Sequence, residues 1–127
     1  MLFEHVALNV PDSRATAAWY VQHLGFTVVR AVEKAPYTRF LADDSGRTVL
    51  EVYSNPAAPY PDYKNQHWLV SHVAVVSQDV EADRARLEQA GATVATIDDL
   101  PDGSRLIMMR DPWGVCVQLC RRTNPMP

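Results

Sequence analysis

Two segments near opposite ends of the chain, EHVALNV (residues 4–10) and SHVAVVS (residues 71–77), show the apolar/polar alternation of a half-buried β-strand. They match at a single offset of 67 residues. The matched residues are His5 and His72, Val6 and Val73, Ala7 and Ala74, and, just beyond the strands, Asp12 and Asp79. The repeat of a histidine within a repeated strand indicates a duplicated module.

A helix is predicted after each of these strands. In the first half, Asp12 or Ser13 is a suitable N-cap, and Gly25 can take the left-handed conformation that ends a helix. In the second half, Asp79 is the candidate N-cap and Gly91 the candidate stop. Each helix is thus bounded by residues with a physical reason to start or stop it.

Three more strand-like runs follow each helix. FTVVRAVEK parallels ATVATIDD, and the pair TRFLADD and RTVLEVYS parallels the pair SRLIMMRD and GVCVQLCRR, with turn residues between the members of each pair. Each half therefore reads as a βαβββ unit, and the chain as one α+β domain over residues 1–127. We place module 1 at residues 1–54, a linker at 55–67 and module 2 at 68–122.

The predicted linker, NPAAPYPDYKNQH, carries three prolines and should be extended. Tyr60 and Tyr63 have two possible roles. They either face solvent from a tether or act as lid residues over a site.

Because side chains alternate along a strand, His5 should lie on the face opposite Val6, Leu8 and Val10, which are predicted to pack on the helix. Glu51 and Gln118 are polar residues in the middle of the last strand of each module. The separation is 46 residues both from His5 to Glu51 and from His72 to Gln118. Each module thus places a histidine on its first strand and an acid or amide on its last.

These four side chains predict a metal site. A buried carboxylate is costly unless a cation, a hydrogen-bond network or a raised pKa compensates for it. Two imidazoles, one carboxylate and one amide oxygen suit a divalent first-row ion that keeps positions open for water or substrate. The alternative is a pair of hydrogen-bonded core histidines, one of them paired with the glutamate.

Bulk composition excludes several classes of function. A chain of 127 residues with 47% apolar and 21% charged residues and a net charge of −3 does not favour a nucleic-acid backbone or an anionic membrane as partner. No apolar run approaches the ~18 residues of a membrane span, and the N-terminus does not resemble a signal peptide. Cys116 and Cys120, about 13 Å apart if they lie on one strand, are too distant for a disulfide. Free thiols indicate a reducing compartment, and we expect the cytoplasm.

The segments EHVALNV, WYVQHLGF, VLEVY, SHVAV and RDPWGVCVQL resemble the vicinal oxygen chelate superfamily, and the resemblance extends over residues 3–121. This superfamily includes glyoxalase I, bleomycin-resistance proteins and extradiol dioxygenases. The resemblance implies paired βαβββ modules whose sheets curl around a metal cup, a small-molecule substrate and a homodimer. It also implies a divalent ion (Ni, Zn, Mn, Co or Fe) with the ligands His5, Glu51, His72 and Gln118.

Gln118 departs from the pattern of glyoxalase I, in which the fourth ligand is usually a glutamate that also moves a proton. An amide cannot accept that proton at neutral pH, so the base would be Glu51. Glyoxalase I usually carries an Arg and an Asn for glutathione at the places of Asn9 and Asn55, so Asn55 matches the pattern and Asn9 departs from it. Both are candidates for substrate binding, and the alternative for Asn55 is an ordinary turn residue before Pro56. Tyr53 and Cys116 are predicted to line the same cup.

Three functions follow from the resemblance. The first is a metal-dependent lyase or isomerase acting on a small α-oxo or enediolate-forming substrate. The second is a non-catalytic binder of an antibiotic or other small molecule, with a cup of aromatic residues. The third is an Fe(II) ring-cleaving dioxygenase, for which the last-strand carboxylate is missing. Arg39, Arg105 and Arg110, on inner strands, are candidates for binding an anionic substrate in any of these.

Overall fold

The computed structural model describes residues 1–126 and divides the chain into two compact units. Unit 1 comprises Met1–Pro61, and unit 2 begins at Asp62. Each unit contains one helix and one four-stranded mixed sheet. The predicted α+β fold with two tandem βαβββ modules is therefore confirmed.

In unit 1, one parallel and two antiparallel strand pairs build the sheet in the order β1-β4-β3-β2. Its elements are β1 (Val6–Asn9), α1 (Ser13–Leu24), β2 (Thr27–Ala31), β3 (Arg39–Ala42) and β4 (Thr48–Tyr53). Helix α1 contacts β2, β3 and β4, and the fully buried Leu50 and Val52 of β4 belong to this core.

Unit 2 repeats this topology with the sheet order β5-β8-β7-β6. Its elements are β5 (Val73–Val76), α2 (Val80–Gln89), β6 (Thr93–Asp99), β7 (Arg105–Arg110) and β8 (Cys116–Arg121). Helix α2 contacts β6, β7 and β8, and Val117 and Leu119 of β8 are buried as Leu50 and Val52 are in unit 1. Among the described residues, no helix is long and apolar enough to cross a bilayer.

The helix boundaries agree with the capping chemistry of the sequence. The Asp12 side chain accepts a hydrogen bond from the Ala15 backbone N–H at 3.0 Å, and Asp79 accepts one from Ala82 at the same distance. Gly25 ends α1 in the left-handed region, at φ 76°. Helix α2 ends at Gln89, two residues before Gly91. The predicted N-caps and the C-cap of α1 are confirmed, whereas the C-cap of α2 is Ala90, directly before the predicted Gly91. In both helices the N-cap satisfies an otherwise unpaired backbone donor.

One prediction about the core is wrong. Val6 was expected to pack beneath α1, but it is 53% exposed, whereas Val10 on the same face is fully buried. Strand β1 lies at the edge of its sheet, and the main contacts of α1 are with the other three strands. The edge position therefore leaves the start of β1 uncovered.

A β-bulge interrupts the second strand of each unit at the corresponding place. In unit 1 the pairing of β2 with β3 shifts between Val28 and Arg30. In unit 2 the pairing of β6 with β7 shifts between Val94 and Thr96. An extra residue in one strand turns the following side chains to the other face of the sheet.

The backbone after Asp62 is held against the β7–β8 hairpin of unit 2. The guanidinium of Arg110 donates hydrogen bonds to the carbonyl oxygens of Tyr63 at 2.6 Å and Gln66 at 2.7 Å. Tyr63 is only 9% exposed, whereas Tyr60 is 38% exposed. The two tyrosines of the predicted linker thus have different surroundings, and Tyr63 does not face solvent.

Candidate functional site

Each sheet has one face covered by its helix and a second face, which we call the open face. Strand pairing places one row of side chains across the open face of each sheet. The row of unit 1 is Ala7, Glu51, Phe40 and Arg30. The corresponding row of unit 2 is Ala74, Gln118, Met108 and Thr96. The backbone repeats closely, but the first row carries two charges and an aromatic ring, whereas the second carries no charge.

In unit 1 the two predicted ligands lie together on this face. The Nε2 atom of His5 is 3.1 Å from Oε2 of Glu51, and the two side chains are 26% and 19% exposed. The ring of His5 meets the ring of Phe40 edge to face, with 5.5 Å between ring centroids. This places an imidazole, a carboxylate and an aromatic ring in contact on a half-buried surface.

The second nitrogen of His5 has a less complete environment. Its Nδ1 atom is buried and has no aligned hydrogen-bond partner among the described residues, although a carboxylate oxygen of the exposed Glu4 lies 3.3 Å away. This contact holds the ring only weakly, because hydrogen bonds weaken steeply with poor geometry. The stronger hold on this imidazole is therefore the Glu51 carboxylate.

In unit 2 the two predicted ligands have different surroundings. Strand alternation places His72 on the same face as Gln118, and His72 is exposed just before β5 begins. The Oε1 atom of Gln118 accepts a hydrogen bond from the thiol of Cys120 at 3.3 Å. The amide oxygen predicted to be a ligand thus already has a weak donor.

The thiols on either side of Gln118 are held in the neutral form. Burial raises the pKa of both Cys116 and Cys120, and the nearby Arg110 and Arg122 only partly oppose this effect. Both cysteines are free. Since the thiolate is the reactive species, this environment disfavours a nucleophilic role for either residue.

The other predicted substrate-binding residues make contacts within unit 1. Asn9 and Asn55 form a reciprocal pair, in which Asn9 donates to the Asn55 carbonyl at 3.0 Å and accepts from the Asn55 N–H at 2.9 Å. The Asn55 side chain also accepts from the N–H of Ala57. Tyr53 lies beside Asn9 in the strand pairing and is partly exposed. Substrate binding by Asn9, Asn55, Tyr53 and Cys116 stays a prediction.

The three arginines expected to bind an anion are engaged elsewhere. Arg39 is buried and bonds the carboxylate of Glu33 at 3.0 Å, and Arg105 contacts Asp99 and Glu81 at 2.7 and 2.6 Å. Arg110 donates to backbone carbonyls. The arginine that reaches the open face of unit 1 is Arg30, which the sequence did not single out. Its placement depends on the bulge in β2, for which the residue pattern carries no visible signal.

Whether this site suits a divalent metal depends first on the pair in unit 1. Adjacent ligands of a first-row ion, each about 2.1 Å from the metal, lie about 3 Å apart, close to the spacing of His5 and Glu51. The pair therefore fits as two of the ligands. Among residues 1–126, no group of three or more histidine, cysteine, aspartate or glutamate side chains is arranged to hold an ion. His72 and Gln118 as further ligands remain a prediction.

The chain is similar in sequence to known proteins over almost its whole length. A family model described as the Glyoxalase/Bleomycin resistance protein/Dioxygenase superfamily matches residues 2–119. The uncharacterized protein YaeR of Escherichia coli (strain K12) is 27% identical over 118 residues, which cover 91% of this chain and 92% of that protein.

Two solved structures with similar folds come from proteins with different roles. TnmS3, an antibiotic binding protein from Streptomyces sp. CB03234, has a TM-score of 0.72 at 21% identity, with 97% of both chains covered. Lactoylglutathione lyase from Agrobacterium tumefaciens has a TM-score of 0.67 at 23% identity, with 94% of this chain and 92% of that chain covered. At these identities the likeness shows the fold alone.

Proposed function

The chain belongs to the Glyoxalase/Bleomycin resistance protein/Dioxygenase superfamily, and from this premise we propose that it is a metal-dependent lyase or isomerase. Its substrate would be a small α-oxo or enediolate-forming compound whose two neighbouring oxygens chelate a divalent ion. The observation that carries this proposal is the contact of 3.1 Å between His5 and Glu51 on the open face of unit 1.

The pairing of strands supports this proposal because it places His5 and Glu51 on one face of the sheet. Parallel pairing of β1 with β4 sets Ala7 beside Glu51, so His5, two residues before Ala7 and just ahead of β1, lies on the same face. The imidazole and the carboxylate are both shielded from most of the solvent. Partial burial strengthens electrostatic interactions with a cation or a developing charge.

The proposed roles divide between binding and proton transfer. His5 and Glu51 would hold the ion, and His72 and Gln118 are the further predicted ligands, at the equivalent places in unit 2. A bound divalent ion would supply Lewis-acid stabilisation of negative charge on the substrate oxygens.

Glu51 is also the proposed base, which takes a proton from one carbon of the substrate and returns it to the neighbouring carbon. Its Oε2 atom lies 3.1 Å from Nε2 of His5. With His5 and Oε2 directed to the ion, the second oxygen, Oε1, would be the proton acceptor. Gln118 is neutral and cannot share this role at neutral pH.

Binding of a small molecule without chemistry is the second candidate. The observation that favours it is the neutral row of unit 2, in which Gln118 stands where a glutamate base would be needed and its amide oxygen already accepts from Cys120 at 3.3 Å. The antibiotic-binding TnmS3 shows that the same fold occurs in a binding protein. We rank this second because both donors of unit 1 are retained. The Fe(II) dioxygenase ranks third.

Metal content distinguishes these proposals. We expect wild-type protein, purified without added metal and measured by inductively coupled plasma mass spectrometry, to carry nickel or zinc. His5→Ala and Glu51→Gln should lower the affinity for that ion at least tenfold. His67→Ala and Glu88→Gln, which make the same changes at exposed positions, should leave it unchanged. A protein with no metal affinity would favour the binder, and iron would favour the dioxygenase.

Activity is the second test. Methylglyoxal with and without glutathione is the first substrate to assay, and Glu51→Gln should abolish turnover. Loss of metal binding with turnover retained would exclude the proposed role of the ion.

We further propose that the protein acts as a homodimer in a reducing compartment such as the cytoplasm. Membership of this superfamily supports the dimer, and two free, buried cysteines support the compartment. Light scattering coupled to gel filtration tests the dimer, and a monomer at micromolar concentration would exclude it.

A further inference from the structure

Arg30 reaches the open face of unit 1 because of the bulge in β2. Regular pairing from Thr27 with Ala42 and Val28 with Leu41 would place Val29 opposite Phe40. The register shift instead pairs Arg30 with Phe40. Bulges often re-aim a side chain next to a functional site. Here the effect is to replace an aliphatic side chain by a guanidinium in the row that contains Glu51.

Contacts connect this guanidinium to the proposed metal ligands. The Cζ atom of Arg30 lies 5.9 Å from the centroid of the Phe40 ring. The same ring meets His5 edge to face, and His5 contacts Glu51 at 3.1 Å. Arg30, Phe40, His5 and Glu51 therefore form one continuous surface in unit 1.

Arg30 is also available to a ligand. It is exposed, and among the described residues it makes no ion pair within 4 Å, unlike Arg39 and Arg105. Its contact with Phe40 holds the guanidinium near the ring without using its N–H donors. A guanidinium with free donors matches the planar geometry of a carboxylate, to which it can donate two parallel hydrogen bonds.

We propose that Arg30 is a specificity-determining residue that binds a second, distal carboxylate of the substrate. This inference rests on the proposed function, because it places the chelating oxygens of that substrate at His5 and Glu51. Two strand spacings of about 4.8 Å separate the backbone of Arg30 from that of Glu51. The long side chain of Arg30 spans part of this distance. The substrate class is a short 2-oxo dicarboxylic acid, with the carbons between its two ends lying on Phe40.

The corresponding row of unit 2 supports the assignment by contrast. Thr96 takes the place of Arg30, Met108 that of Phe40 and Gln118 that of Glu51. The corresponding bulge in β6 places the neutral hydroxyl of Thr96 beside the apolar side chain of Met108. The bulge itself therefore does not require a charge at this place, and the guanidinium of unit 1 is available to an anionic ligand.

The test uses zinc-loaded protein, in which the proposed ion can hold the 2-oxo acid end, and two probes that differ only in the distal group, 2-oxopentanedioate and 2-oxopentanoate. NMR titration of the arginine side-chain N–H signals and backbone amides gives both dissociation constants. Wild-type protein should bind the dicarboxylate about tenfold more tightly, the effect of one charge-assisted contact. Arg30→Gln should remove this preference, and Arg30→Lys should retain part of it.

Arg14→Gln is the matched control. The guanidinium of Arg14 also lies over a ring, 4.3 Å from the centroid of Tyr37, but it belongs to α1 and not to the sheet. Its loss should leave the preference for the dicarboxylate unchanged. Equal binding of the two probes by wild-type protein, or a preference that survives in Arg30→Gln with intact amide spectra, would overturn the proposal.

The outcome is separable from that of the proposed function. Failure to bind nickel or zinc would overturn the metal-dependent activity and, with it, the placement of the substrate. Metal binding that is intact in Arg30→Gln, with the preference for the dicarboxylate lost, would support both proposals. Conversely, if Glu51→Gln removes metal binding but Arg30→Gln leaves the preference for the dicarboxylate unchanged, only the proposed substrate class is overturned.

Discussion

The Nη1 atom of Arg110 lies 2.6 Å from the carbonyl oxygen of Tyr63, a residue 47 positions earlier in the chain. The same guanidinium bonds the carbonyl of Gln66 at 2.7 Å, the carbonyl of Gly114 at 3.2 Å and the sulfur of Cys116 at 3.4 Å. One half-buried cation thus holds the segment from Tyr63 to Gln66 on the β7–β8 hairpin. This explains why an arginine expected to bind substrate is unavailable for it.

Removal of that cation should be costly. We expect Arg110→Ala to lower the free energy of unfolding by about 3 kcal/mol, because several buried carbonyl groups lose their donor. Urea denaturation of the purified variant measures this. Arg121→Ala, at an exposed position, is the control and should change stability by less than about 0.5 kcal/mol. A small effect of Arg110→Ala would mean that water replaces the guanidinium.

Two glycines offer a matched test of how closely this segment is packed. Gly114 has φ +96°, and an added Cβ would lie 2.6 Å from the backbone nitrogen of Lys64. Gly46 has a similar φ of +79°, but nothing lies within 4 Å of its added Cβ. Gly46→Ala should therefore cost only the left-handed conformation, about 1 kcal/mol, and Gly114→Ala about 3 kcal/mol or more. Thermal unfolding of both variants compares them, and equal losses would contradict the close contact with Lys64.

The start of α2 should make stability depend on pH. Burial would raise the pKa of Asp83, but hydrogen bonds from Ser77 at 2.6 Å and Arg86 at 2.8 Å outweigh it, and the net pKa is lowered. The folded carboxyl group thus binds a proton less readily than the unfolded one. Its contribution to stability is present above the unfolded pKa of about 3.9 and is lost as the pH falls through the lower folded value.

Asp83→Asn should accordingly destabilise the protein by about 1 kcal/mol at pH 7, a value that allows for partial exposure. The difference from wild type should shrink as the pH falls below about 4. Urea midpoints at pH 7 and pH 3 measure it, and Asp44→Asn at an exposed turn serves as control. If Asp83→Asn destabilises the protein equally at both pH values, the changed shape of the side chain and not the lost charge causes the destabilisation.

Gln118→Glu tests whether a glutamine in place of the usual glutamate of glyoxalase I changes how the protein binds a metal ion. If Gln118 is a ligand, a carboxylate there should raise the affinity for zinc at least about tenfold, because it adds a negative charge to the first shell. It should also raise the pKa of metal-bound water, since the ion becomes a weaker Lewis acid. Competition with a chelating dye measures the affinity, and Gln22→Glu on the exposed side of α1 is the control. Unchanged affinity and water pKa would remove Gln118 from the ligand set.

The repeat and its consequences were predictable from sequence because they depend on local rules. A strand alternates with a period of two residues, so the face of His5 and Glu51 followed from their positions, as did the capping of α1 and α2. The equal separation of 46 residues in both halves is enough to single out the pair of His5 and Glu51.

What the sequence did not reveal depends on contacts between distant residues. The exposure of Val6 follows from the sheet order, and the engagement of Arg110 follows from where the segment after Asp62 returns. The position of Arg30 follows from a bulge that no residue type announces. Beyond a bulge, the alternation of side chains along a strand predicts the wrong face of the sheet. Alternation also cannot show which arginine already has a hydrogen-bonding partner.

The bulge in β2 gives the protein a simple route to a different specificity. Deletion of Ala31 would let the strand pair without the bulge, with Val29 opposite Phe40 and Arg30 opposite Arg39 on the helix-covered side. Relatives that lack one residue directly after this arginine should therefore differ in the charge of the ligands they accept, even where every side chain around the histidine and the glutamate is the same.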